Sequence, residues 1–206
     1  MSKISKNTFK KITLLYFIGR FRNGAYSNYR VQKVLYFATK AINLHPFPYR
    51  HTEHGQYSRD ARENIDSLIA LGLIDITGLK KTEETGFKLA INSRAVNLGL
   101  TEILPKINPT LAQTLDASIT EYGYLKNEEI KRRTHDDSLL KNTPFGQILF
   151  DENLPDYIEV DLSDSECEDL ELLLNEKFMI CMDRLVSAIE ATDFDFERVE
   201  KVASVL

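Results

Sequence analysis

Three histidines, His45, His51 and His54, lie close together with Glu53 among them. Imidazole nitrogens and a carboxylate are the donors of a zinc site and the usual partners of acid–base catalysis. The stretch that carries them, NLHPFPYRHTEHGQY, has prolines at 46 and 48. These remove backbone donors and push the preceding residues toward extended conformations, so a loop or a short edge strand is expected. On such a segment the spacing of His51 and His54 does not fix a common ligand direction as a helix would, and no metal is expected. His135 stands beside Asp136 and Asp137, but adjacency in sequence does not set a carboxylate against an imidazole. Cys167 and Cys181 sit in what reads as one continuous helix, about 21 Å apart at about 1.5 Å per residue, too far for an intrachain disulfide. There is no Gly-rich phosphate loop, nucleophile elbow or paired-carboxylate motif. The expectation is a protein without catalytic residues or cofactor.

Charge offers a different chemistry. Up to residue 62 there are twelve Lys/Arg and two acids, and beyond it fourteen Lys/Arg and twenty-nine acids. Residues 151 to 206 alone hold seventeen acids and four bases. A basic N-terminal part can meet nucleic acid or an acidic protein, and the acidic tail would repel DNA. Arg59 and Arg62 on an expected helix, Lys80 and Lys81 on an expected turn, and Arg20, Arg22 and Arg30 are the residues that could reach bases or phosphates. Glu63, Asp66, Glu83 and Glu84 interleave with them, which suits a mixed-charge protein interface better than a DNA face.

These residues need elements to hold them. Phe9, Ile12, Leu15, Tyr16 and Gly19 form one helical stripe, widened by Leu14, Phe17 and Ile18 until little of the helix remains polar, so this helix is expected to be central. The apolar run in KKITLLYFIG is too short to span a bilayer and lacks a small-residue cleavage site, and a cytoplasmic protein is expected. FRNGAYSN brings a turn, with Ser27 or Asn28 able to cap the next helix. In YRVQKVLYFATKAI, Val31, Val34, Leu35, Ala38, Ala41 and Ile42 recur at helical steps. Ser58 is the expected N-cap of a helix whose buried face is Ala61, Ile65, Leu68 and Ile69, and Gly72 its left-handed terminator. LIDIT and FKLAI alternate as two strands joined by GLKKTEETG. Helix, helix, helix-ending glycine and hairpin is the order of a winged-helix module, with residues 58–71 as recognition helix and 73–91 as wing.

Farther on, Pro109 starts a helix ended by Gly123, NEEIKRRTHDDSLL reads as one short polar helix with Asn127 at its N-cap, and LPDYIEVDL contains a short strand. Leu170, Leu174, Phe178, Cys181, Leu185 and Ala188 form a long stripe, followed by Phe196, Val199, Val202 and Leu206 on a final helix.

Three stretches together resemble the SocA-like antitoxin family, also called the Panacea domain, and its YwgA-like relatives. Gln32-Lys33-Val34-Leu35-Tyr36-Phe37 is similar to that family's "LQKLLYF" helix, Gly55-Gln56-Tyr57-Ser58 to its Gly-Pro-Tyr-Ser turn, and Glu129-Ile130 with Thr134-His135 to its "ELxxxTH" helix. The likeness covers roughly residues 10 to 150. It implies a mainly α-helical domain that works by protein–protein contact, neutralising a toxin encoded beside it or presenting a client to a protease, with some members in phage-associated regions. Gln32, Lys33, Leu35, Tyr36, Phe37, Gly55, Ser58 and His135 are then structural. Tyr36 and Phe37 are expected under the hairpin, with Tyr57 plugging its loop against the core.

The sequence reading is therefore a mainly α protein with a winged-helix-like core and a small hairpin. Residues 1–150 form the SocA/Panacea-like domain and 151–206 an acidic helical extension packed on it. Its expected role is a non-enzymatic interaction module of antitoxin or adaptor type, binding a toxin or protease client through Tyr57, Arg59, Arg62, Lys80 and Lys81, with no membrane partner. The alternative is a winged-helix transcriptional regulator, and a homo-oligomer fits either.

Overall fold

The computed structural model describes residues 2–22, 24–77 and 88–175, Tyr26 by its backbone alone. The chain enters as β1 (Ser2–Ser5) and turns into α1 (Lys6–Gly19), whose first turn is capped by the Ser5 hydroxyl accepting the Thr8 N–H at 3.2 Å. Every residue of α1 from Thr8 to Ile18 is buried. The all-round apolar character read from its sequence has this cause: the helices Arg59–Ala70, Ile103–Ile107, Pro109–Tyr122 and Asp164–Asn175 all pack on it. Even its lysines are accommodated, because their stems lie in the core while their ammonium groups find partners. Lys10 pairs with Asp60 and Glu152, and Lys11 donates to the Leu174 carbonyl.

β2 (Ala25–Tyr26) leads into α2 (Ser27–Ala41), and β3 (Tyr49–Thr52) and β4 (Gly55–Tyr57) form a hairpin before α3 (Arg59–Ala70). β5 (Ile74–Thr77) and β6 (Lys88–Ile91) pair antiparallel with Ile74 opposite Ile91, as the alternation in LIDIT and FKLAI predicts. A helical run follows: α4 (Ser93–Asn97), a 3-10 turn (Leu100–Glu102), α5 (Ile103–Ile107) and α6 (Pro109–Tyr122). Proline occupies the first turn of α6, where its missing N–H costs nothing, and the Asn108 side chain accepts from the Leu111 N–H at 2.9 Å. α7 (Asn127–Asp136), α8 (Ser138–Asn142), β7 (Ile148–Phe150), β8 (Tyr157–Val160) and α9 (Asp164–Asn175) complete the described chain. Among the described residues the fold is mainly helical with three small sheets, ordered β2-β6-β5, β4-β3-β7 and β1-β8. Among the described residues no helix is long and apolar enough to cross a membrane.

Several expectations are corrected. The proline-containing stretch is a loop through Pro48, as expected, and β4 is an edge strand, but β3 between them is the central strand of its sheet, paired with β4 on one side and β7 on the other. The polar helix after Asn127 is two helices, broken where Asp137 takes an extended conformation and its carboxylate caps α8 through the N–H groups of Leu139 and Leu140. Asn127 lies inside α7, and its side-chain oxygen accepts from Arg30 instead of capping. The expected strand in LPDYIEVDL pairs with β1, Ser2 opposite Val160. Of the long C-terminal stripe, Leu170 and Leu174 are buried in α9, while Phe178, Cys181, Leu185, Ala188 and the final expected helix lie outside the described residues. The loop GLKKTEETG also lies outside them, Lys80 and Lys81 included.

Two glycines hold left-handed backbone for different reasons. Gly72 ends α3 at φ +66° with open space where a side chain would go. Gly55 turns β3 into β4 at φ +85°, and a Cβ there would sit 2.8 Å from Thr134 Cγ2 and 3.1 Å from Lys33 Nζ. Gly72→Ala is predicted to cost about 1 kcal/mol from backbone strain alone, and Gly55→Ala about 3 kcal/mol because strain and overlap combine. Urea denaturation of the two variants checks this, and equal losses would contradict it.

Candidate functional site

The three motif stretches meet around one side of α2. The Gln32 amide behaves like a strand neighbour of Ser58: its Nε2 donates to the Ser58 carbonyl at 2.9 Å and its Oε1 accepts the Ser58 N–H at 3.0 Å. This leaves the Ser58 hydroxyl available to cap α3 by accepting the Ala61 N–H at 3.1 Å, as the sequence predicts. Next to it, Lys33 is 1% exposed and donates from Nζ to the carbonyls of His54 at 2.5 Å and Gln56 at 2.8 Å, with the Tyr29 ring centre 4.9 Å away. No carboxylate pairs with it among the described residues. Burial therefore dominates, and pulls the ammonium pKa down to about 7.

One helical turn on, Leu35 is fully buried, and Tyr36 stacks on Phe150 and meets Tyr49 edge-on. Its hydroxyl donates to Asp137 at 3.2 Å. The ring thus packs under the β4-β3-β7 sheet rather than under the β5–β6 hairpin, and Phe37 stacks instead on Tyr122 of α6 at 4.6 Å. Burial tends to raise the Asp137 pKa, but the Lys40 ammonium at 2.6 Å and the capping N–H groups outweigh it and hold the carboxyl below its ordinary range. Tyr57 does not plug its loop. It is 36% exposed, opposite Arg50, and it is Gln56 that turns inward at 1%. Gln32, Lys33, Tyr36, Gly55 and Ser58 are thus occupied with one another and with the Thr134–Asp137 junction.

The histidines diverge. His45 is buried against Phe150, with Nε2 at 3.1 Å from Asn43 Oδ1, and His51 Nδ1 meets the Thr143 carbonyl at 2.7 Å. His54 and His135 line an open polar cleft of about 410 Å³, together with Glu53, Glu128 and Lys131. Among the described residues no group of three or more His, Cys, Asp or Glu is gathered as metal ligands.

The outer face of α3 carries both signs. Arg59 Nε lies 2.7 Å from Glu63 Oε1 and Arg62 Nε 2.8 Å from Asp66 Oδ2, each one turn along the helix. Arg20 is paired with Asp116, and Arg30 is buried, donating to the Gly123 carbonyl and to Asn127. Neither is a free phosphate contact. Between α3 and the β5–β6 hairpin runs a cleft of about 200 Å³, walled by Ile65, Ile69, Ile76 and Leu89, with Asn28 and the Arg62–Asp66 pair completing it. From sequence Asn28 is expected only as a helix cap and Ile76 only as part of a strand. The alternation in LIDIT, with Ile74 inward, shows which isoleucines share a face, but nothing local tells that this face meets α3.

No family model, curated protein or solved structure matches this chain. Its chemistry is read from its own geometry.

A buried lysine whose folded pKa lies below its unfolded value makes stability rise with pH, because the unfolded chain binds the extra proton. For Lys33 the rise spans about pH 7 to 10, between the lowered value and the ordinary 10.5. The unfolding free energy of the native chain relative to Lys33→Met is predicted to climb across that window, with a slope approaching about 1.4 kcal/mol per pH unit. It should be flat below about pH 7. Chemical denaturation across pH measures it, and a flat difference throughout would refute the assignment.

Proposed function

We propose that this chain is a non-enzymatic protein-interaction module of the antitoxin or proteolytic-adaptor type, as its resemblance to the SocA-like family implies, built on a winged-helix-like core. The core reading is supported by order and pairing together: α1, β2, α2, α3, β5 and β6, with β2 joined to β6 and β6 to β5, is the arrangement of a helix–strand–helix–helix–hairpin unit, the β3–β4 hairpin being inserted before α3. α3 then stands in the recognition-helix position.

The observation that carries the interaction reading is the state of that helix. Both arginines that could read bases are engaged by carboxylates on the same face, and the apolar cleft lies alongside. Phosphate attraction depends on uncompensated cations, whereas an apolar centre rimmed by paired charges suits a polypeptide surface. A DNA-binding regulator is the second reading, favoured by the winged-helix-like order alone.

Co-expression with the product of the adjacent gene tests the proposal. A stable pair is predicted to co-purify, and Ile76→Asp to weaken it at least about tenfold by placing a charge in the cleft. In the same preparation duplex DNA should show no retardation that falls steeply with salt. A steep, salt-sensitive shift abolished by Arg59→Ala with Arg62→Ala would establish the DNA reading instead.

A further inference from the structure

We propose that the outer face of α3 pairs with the same face of a second copy of this chain, related by a twofold axis so that the two α3 helices run antiparallel. This goes beyond the interaction reading above and does not rest on it.

Arg59, Arg62, Glu63 and Asp66 recur at three- and four-residue steps, so they share one face of α3, and all four are exposed. Along the helix the order is two cations, then two carboxylates. A twofold axis presents that order in reverse on the second copy. With the axis between Arg62 and Glu63, each Arg62 faces Glu63 of the other copy and each Arg59 faces Asp66, so all four side chains meet the opposite sign. Sliding one helix by a turn sets Glu63 against Asp66 in one direction and Arg59 against Arg62 in the other, like against like. The charges therefore specify a single register. Their pairing within the helix does not exhaust them. Arg59 and Arg62 hold Glu63 and Asp66 through Nε, which leaves the terminal guanidinium N–H groups to bridge the copies.

Apolar surface lies at both ends of this pairing. The cleft walled by Ile65, Ile69 and Ile76 is beside Asp66, and Tyr57, 36% exposed, stands two residues before Arg59. Because Arg59 faces Asp66, Tyr57 of one copy comes to the cleft of the other, and symmetry repeats the contact. Exposed ion pairs alone contribute little, so covering Ile76, which is 45% exposed, supplies the driving force while the charges supply the register. A phenol also suits a cleft whose wall includes the Arg62–Asp66 pair, since its ring meets isoleucine while its hydroxyl meets a carboxylate. A foreign protein would need its own matching charges to take this place. The second copy carries them already.

Sedimentation of the full-length native chain from about 1 to 100 μM is predicted to show a monomer–dimer equilibrium. Arg59→Glu with Arg62→Glu makes the face wholly acidic, and Glu63→Arg with Asp66→Arg makes it wholly basic. Each variant alone, its helicity checked by circular dichroism, should dimerise at least about tenfold more weakly. Mixed in equal amounts the two should pair again, one of each, because every facing pair is opposite once more. Tyr57→Ser, which alters no charge, should weaken the native dimer about tenfold and decides the matter if a charge-reversed chain does not fold. A native chain that stays monomeric, charge-reversed variants that dimerise as the native chain does, folded variants that do not pair when mixed, or a dimer indifferent to Tyr57→Ser would overturn the proposal. Should the native chain be monomeric and still co-purify with the product of the adjacent gene, this pairing falls and the interaction reading stands.

Discussion

Between Gln56 and Arg59 the backbone leaves a strand and enters a helix, and it does so against the side of α2, shielded from water. Ser58 is fully buried, so its amide and carbonyl cannot turn to solvent. An unanswered backbone group costs about 1–3 kcal/mol, and several would accumulate here. The side chains of Gln32 and Lys33 answer them, one as a surrogate strand neighbour and the other as a cation shared by two carbonyls. The direction of α3 follows from that junction, because the Ser58 hydroxyl is left to start the helix. So does the need for glycine at 55, where the chain must pass between Lys33 and Thr134.

Two adjacent residues of one helix thereby determine where the amphipathic helix α3 points. Their chemistry is consumed in doing so. The buried lysine with a lowered pKa stands near the polar cleft lined by His54 and His135, and its Nζ is committed to the main-chain carbonyls of His54 and Gln56. On the flank of α3, i,i+4 pairs offset the charge of Arg59 and Arg62 that the composition of the N-terminal part advertises. Net charge along a sequence says little about a face until the pairing on that face is known.

What could be read in advance follows the range of the interactions involved. α1, α2 and α3, the Ser58 cap and the Gly72 terminator are set by residues within a few positions of each other, and the β5–β6 pairing by alternation on either side of one loop; all are legible. The central position of β3 was not, because one of its two neighbours comes from Ile148–Phe150, and the prolines before the strand mask its alternation. Nor was the break at Asp137. A carboxylate in mid-helix looks like one more surface charge until Tyr36 and Lys40 of α2 approach it. The motif residues were identified, but Tyr36 was expected under the wrong sheet, since periodicity reveals that a side chain is inward and not what it meets.

The ladder between β1 and β8 matches Ser2 with Val160 and Ser5 with Tyr157. During synthesis the first strand therefore emerges long before its mate exists, and the most apolar helix, which follows it immediately, lacks the cover that α9 later provides. A nascent chain of this sequence leaves that helix partly uncovered until the segment around Val160 has been made. Such distant strand pairing slows folding relative to a helical chain held by local contacts.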